Sequence, residues 1–131
     1  MYEAIEVVLK GKEMPLPGTQ TFEDEDGIDR REMRIRWWED PSKMTYEKIS
    51  VLQYDNLLTE QVDMDLLKDS DFYKKDDKPV FFGHYWIKER QPALFKDNIC
   101  CLDYSVAKGG KLVAFSLDDE FCITKGKFTA V

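Results

Sequence analysis

The run Pro79-Val80-Phe81-Phe82 closes directly on Gly83 and His84, and His84 is the one histidine among 131 residues. Three consecutive apolar residues, two of them aromatic, suit a strand of the continuous, buried kind better than an alternating, half-wetted one. Gly83 then permits backbone geometry that other residues resist. A side chain at such a strand end is held by the sheet yet open to a ligand. The other reading of the same residue is an ordinary structural histidine with a satisfied hydrogen bond. The rest of the chain has to decide between the two.

At this length one domain with a real core is expected. The 43% hydrophobic, 34% charged and 13% aromatic content describes a globular chain with aromatic side chains for a core or a lined surface. Nineteen basic against twenty-six acidic residues leave a net charge of −7. That field works against general polyanion binding and leaves room only for a local basic patch. No run approaches the roughly 20 apolar residues of a membrane span, and no signal-peptide layout opens the chain, so a cytoplasmic location without membrane partners is expected. Cys100, Cys101 and Cys122 make neither a disulfide framework nor a zinc knuckle. Reduced, mostly buried thiols are expected.

In the first half, Ala4, Ile5, Val8 and Leu9 fall on one side of a helix over Tyr2 to Leu9, which Gly11 ends. This helix starts without a cap, as if the chain began inside an element. Pro15 and Pro17 make the segment from Lys12 to Gly18 an extended loop. Asp26-Gly27 signals a hairpin turn after Thr21 and Phe22. A calcium loop in the acidic run from Glu23 to Asp26 fails on spacing, because its first and last ligands would be Phe22 and Met33. From Arg31 to Trp38 a strand alternation places Arg34, Arg36 and Trp38 on one face and Met33, Ile35 and Trp37 on the other. The arginine face reads either as a phosphate- and base-binding surface or as a solvated face beside a core tryptophan. The segment from Pro41 to Leu58 is ambiguous, and Thr59 caps an expected helix through Val62, Leu66 and Leu67.

In the second half, Ile87 to Asp97 should cross the surface without regular structure. Ile99 to Tyr104 and Lys111 to Leu117 read as strands joined by a reversal at Gly109-Gly110. Phe121 to Thr124 and Phe128 to Ala130 read as a last hairpin around Lys125-Gly126-Lys127. The expected class is α+β, with a mostly antiparallel sheet in the C-terminal half and short helices in the N-terminal half.

One histidine cannot supply the ligand set of most catalytic zinc sites, and no phosphate loop is present. No local signature promotes a cysteine to nucleophile. Three short motifs nevertheless occur in order: Gly83-His84-Tyr85-Trp86, Cys101-Leu102-Asp103 and Gly109-Gly110-Lys111-Leu112. Together they resemble the C-terminal part of a calcineurin-like metallophosphoesterase. The branch concerned contains symmetrical diadenosine tetraphosphatase and bacterial serine/threonine phosphatases. Leu9-Lys10-Gly11-Lys12-Glu13, Leu16-Pro17, Asp26-Gly27 and Arg34-Ile35-Arg36-Trp37-Trp38 are similar to a bacterial subgroup that includes the phosphatase part of polynucleotide kinase-phosphatase.

The resemblance implies a metallophosphoesterase-type sandwich and hydrolysis of a phosphate ester at two metal ions, with manganese, iron, zinc and nickel all suited to the ligand types. It makes His84 a ligand of the second metal. Arg34, Arg36, Trp38, Tyr85, Lys88 and Arg90 are candidates for contact with a phosphorylated or nucleotide substrate. Trp86 stands where many relatives carry a second histidine. The family's Asp-x-His, Gly-Asp-x-x-Asp and Gly-Asn-His motifs do not occur in these residues. The chain is therefore expected to be the C-terminal part of a larger enzyme, inactive alone, with an N-terminal catalytic portion as partner in cis or trans and a second copy as a further partner. Two other readings stay open: a non-catalytic nucleotide- or phosphate-binding module using the Arg/Trp strand face, and an oligomerising domain.

Overall fold

A computed structural model describes residues 5, 7, 10–24, 26–54, 57–67, 72–117 and 122–131. The class is mixed α+β, built from short strands and single helical turns in two compact units, Met1–Tyr73 and Lys74–Val131. Most of the expected helix over residues 2–9 lies outside the described residues. Ile5, Val7 and Lys10 are helical, and the amide of Gly11 donates to the Val7 carbonyl at 2.9 Å, with Gly11 itself at φ 91°. A glycine in the left-handed region at a helix end is the stop the sequence implied.

In the first unit β1 (Glu13–Pro15) pairs antiparallel with β4 (Glu32–Arg34), setting Met14 opposite Met33. Between them β2 (Phe22–Glu23) and β3 (Asp29–Arg30) form the expected hairpin. Its turn puts Gly27 at φ 75° and spends the Asp24 carboxylate on the amides of Asp26 and Ile28 and on Arg30 Nε, at 2.8 to 3.0 Å. The Ile28 amide above all holds that carboxyl below its usual range, followed by the Arg30 guanidinium.

The strand from Arg31 to Trp38 is shorter than its alternation suggests. Regular pairing ends at Arg34 with one further bridge from Ile35 to Ser50, after which Trp37 and Glu39 donate back to the carbonyls of Ile35 and Arg36 in a turn. Turning the chain there buries Met33, Ile35 and Trp38 instead of a single alternate face.

Two further corrections concern the ambiguous middle. Tyr46–Ile49 is a single helical turn capped by Thr45, whose hydroxyl accepts from the Lys48 amide. The helix expected after Thr59 does not form. The carbonyls of Leu58 and Glu60 instead accept from the amides of Glu47 and Tyr46, and Val62 donates to Met44 at 3.0 Å. A chain whose polar groups already serve a neighbour has none left for its own helix. Only a 3-10 turn follows, Met64–Leu66, capped by Asp63. The core of this unit gathers Met14, Leu16, Phe22, Met33, Ile35, Tyr46, Ile49, Leu57 and Val62.

In the second unit β5 (Val80–Phe82) runs parallel to β6 (Ile99–Cys101), a departure from the otherwise antiparallel half. The connection crosses without a strand or helix, as its proline and charges imply, and is tied down where the Tyr104 hydroxyl accepts from the Ala93 amide at 3.0 Å. β7 (Asp103–Tyr104), β8 (Lys111–Ser116) and β9 (Lys127–Ala130) form an antiparallel sheet in that order.

The reversal before β8 is a 3-10 turn, Val106–Lys108, closed by Gly109 at φ 81°. The last hairpin is paired differently from the sequence reading. Phe121 lies outside the described residues, Ile123–Lys125 is a 3-10 turn, and β9 pairs with β8. Phe128 meets Phe115 edge-on at 4.8 Å, a ring contact that Phe121 to Thr124 could offer only by displacing it.

Candidate functional site

β5 and β6 end together, with Phe82 opposite Cys101, and the Leu102 amide donates to the Phe82 carbonyl at 2.9 Å. His84 follows one carboxyl end and Asp103 the other. Loops after the carboxyl ends of parallel strands are where a sheet exposes side chains to ligand while fixing their base.

Asp103 organises this corner. Its carboxylate accepts from the Trp86 amide at 3.3 Å and from the Ser105 amide at 3.0 Å, while its carbonyl accepts from the Ile87 amide at 3.0 Å. The Ser105 hydroxyl donates to the Ile87 carbonyl at 3.1 Å. Residues 84–87 are thus stitched to β7 from both sides.

The stitching holds an unusual backbone. His84 (φ 67°), Trp86 (φ 52°) and Ser105 (φ 60°) are the positive-φ residues other than glycine among those described, and all three touch this network. Each such conformation costs on the order of 1–3 kcal/mol and persists only where its surroundings over-determine it. Gly83, the residue expected to take the unusual geometry, does not have positive φ; its Cα faces Asp103, where an added Cβ would lie 3.7 Å from the aspartate's own.

The strain sorts the side chains. Tyr85 and Ile87 turn inward, Tyr85 to 2% exposure with its ring 4.8 Å from Phe82, while His84 and Trp86 turn out. Trp86 is 36% exposed and Lys108 Nζ sits 3.8 Å from the centroid of its ring.

The sequence candidates therefore separate. His84 is exposed in the strained loop; Lys88 and Arg90 are exposed just beyond it, and the Arg90 carbonyl accepts from Lys111 Nζ at 2.7 Å. Tyr85 belongs to the core. In the other unit, Arg36 Nε donates to the Ser50 carbonyl at 3.1 Å, Arg34 lies 3.6 Å from the Glu13 carboxylate, and Trp38 is 4% exposed against Trp37 at 5.1 Å. Arg34, Arg36 and Trp38 do not share an open stacking face, because the chain turns at Arg36 before the alternation reaches Trp38.

Sequence reasoning overlooked the roles of Asp103, Ser105 and Lys108. Asp-x-Ser is a local signal for the first two, since an aspartate accepting from the amide two residues on makes a compact turn. Nothing in the sequence pairs Lys108 with Trp86.

Among the described residues no three His, Cys, Asp or Glu side chains come together to hold a metal ion. These residues do not by themselves fit a dinuclear centre, to which His84 offers one donor. The cysteines add none. Cys100 and Cys101 are fully buried in β6, and burial pushes their thiols up to about 11 and about 12.

Two results are expected from that burial. A thiol reagent at neutral pH should modify Cys122, which is partly exposed, and reach Cys100 and Cys101 only on unfolding; fast modification of all three in the folded chain would contradict the burial. Second, the folded thiols keep protons that unfolded thiols lose above the usual 9.0. Their stabilising contribution is complete below pH 9 and is lost as pH rises toward 11 and 12, by up to about 1.4 kcal/mol per pH unit for each thiol. Urea midpoints between pH 8 and 10.5 should fall, and fall less in Cys101→Ala.

No family model, curated protein or solved structure matches the chain. Among the described residues no helix is long and apolar enough to cross a membrane.

Proposed function

We propose that this chain is the C-terminal segment of a calcineurin-like metallophosphoesterase, contributing His84 as one metal ligand and part of the substrate pocket, with the other ligands supplied by a catalytic portion in cis or trans. One observation carries the reading. Three motifs, separated in sequence by 17 and then by about 7 residues, are parts of one corner: the Gly83-His84 loop, the Cys-Leu-Asp aspartate that clamps it, and the Gly-Gly-Lys-Leu turn packed on Tyr104 and Ser105. The exposed imidazole at a strained strand end is also what a ligand position requires, since stability alone gives no reason to hold it there. When bound, a pair of divalent metals would polarise a phosphate ester and activate water; the chain's own part is to hold the His84 backbone rigid through Asp103.

The chain alone with manganese should leave p-nitrophenyl phosphate unhydrolysed. Mixed with the catalytic portion of such an enzyme truncated before its own Gly-His segment, it should restore manganese-dependent hydrolysis, and His84→Ala should lower that restored rate about 100-fold. Hydrolysis by the chain alone that vanished in His84→Ala would sink the dependence on other ligands. A restored rate indifferent to His84→Ala would sink the ligand role.

A further inference from the structure

We propose that Trp86 and Lys108 form a recognition site for a phosphate carried on a planar aromatic ring. This names what the His84 loop takes and rests on the reading above only for hydrolysis of the bound ligand, not for binding. The backbone is the first argument. A bulky residue at φ 52° is a costly arrangement, normally justified by burial, yet Trp86 stays 36% exposed while its neighbours Tyr85 and Ile87 supply the anchoring. The clamp from Asp103 and Ser105 therefore holds an indole outward at the same strand end as His84.

The second argument is Lys108. It closes the 3-10 turn fixed by Gly109 and puts its ammonium on the indole face at 3.8 Å. An ammonium on an indole is attracted by a weak quadrupole, and a phosphate offers it a full countercharge. A ring-bearing phosphate can thus replace the lysine on the indole face by stacking, and draw the lysine onto its own oxygens. Charge distribution is the third argument. The chain carries −7, but residues 74–131 hold ten basic and eight acidic side chains, so this unit is +2 and the remaining residues are −9. Lys88, Arg90 and Lys111 are among those ten, and the first two are exposed beside the loop. The nearest carboxylate, Asp103, is occupied by backbone amides and competes little for a cation.

Mononucleotides and aryl phosphates such as phosphotyrosine share this chemistry. The test is an NMR titration of the full chain in EDTA, following the Trp86 indole, with AMP, phosphotyrosine, adenosine and ribose 5-phosphate. AMP or phosphotyrosine, or both, should bind at least about tenfold tighter than adenosine and ribose 5-phosphate, and their ratio identifies the source of the ring. Trp86→Leu should reduce AMP to the level of ribose 5-phosphate, and Lys108→Ala should reduce it to the level of adenosine. Lys125→Ala should change nothing. Equal affinity for AMP and ribose 5-phosphate, no shift with any probe at millimolar concentration, or unchanged AMP binding in variants of unaltered melting temperature would each overturn the proposal. Because EDTA removes metals, AMP binding that persists when complementation fails would reject the phosphoesterase reading and leave this one standing.

Discussion

Gly110→Ala should abolish the β7–β8 turn and lower the melting transition of the second unit beyond any single side-chain truncation there. A Cβ at this position would collide with the Tyr104 carbonyl oxygen and come within 2.8 Å of both the carbon and the oxygen of the Ser105 carbonyl. All three obstacles are backbone, so no rotamer change relieves them. Moving them would break the Gly110 amide's hydrogen bond to Ser105 at 2.9 Å and pull β7 from register, where Asp103 faces Leu112 and Tyr104 faces Lys111. Overpacking a flexible core costs about 1–3 kcal/mol; against fixed backbone the cost should exceed about 4 kcal/mol.

Gly109→Ala is the control. Its Cβ would meet nothing, so only the left-handed backbone at φ 81° is penalised, by about 1 kcal/mol. Urea unfolding with hydrogen exchange at β8 amides distinguishes the two. Gly110→Ala with exchange protection in β8 equal to the parent would show that the turn can be rebuilt without register loss.

The strand at Val80 and the reversal at Gly109-Gly110 are legible because their signals are local: a continuous apolar run and a pair of glycines. The hairpin at Asp26-Gly27 is legible for the same reason. What fails is whatever depends on a distant partner. Leu58 and Glu60 carry helical promise after a capping-type threonine, yet their carbonyls are taken by Tyr46 and Glu47. The alternation from Met33 to Trp38 is a real period of two, but the chain bends at Arg36 once its amide donates to Ile49 at 2.8 Å, and Trp38 goes inward. In the candidate site the sequence singles out His84 through rarity and position. It does not show that Trp86 is held at positive φ, because that conformation is imposed by Asp103 and Ser105, residues distant in the chain. Nor could a mean charge of −7 disclose that the unit bearing His84 is positive.

Asp103→Ala should be the most damaging side-chain change at the His84 corner, and the way it damages tests why the backbone there is strained. The substitution removes the acceptor of the Trp86 and Ser105 amides, two charge-assisted bonds whose combined loss is expected to cost about 3–4 kcal/mol. The carbonyl bond to Ile87 survives, so β7 keeps one tie to the loop. His84→Gly works in the opposite direction. A glycine at φ 67° is unstrained, so in the parent chain this change should stabilise by up to about 1 kcal/mol while deleting the imidazole. If the clamp is what enforces positive φ, the loop relaxes once Asp103 is gone, and His84→Gly should then gain nothing. The double-mutant cycle, measured by urea unfolding, should therefore show a coupling of about 1 kcal/mol. Additive effects would mean that the His84 backbone is held by something other than Asp103, and the link between the Cys-Leu-Asp motif and presentation of the histidine would fail. Coupling, with the parent less stable than His84→Gly, would make this corner a place where stability is spent on aiming a side chain at a ligand.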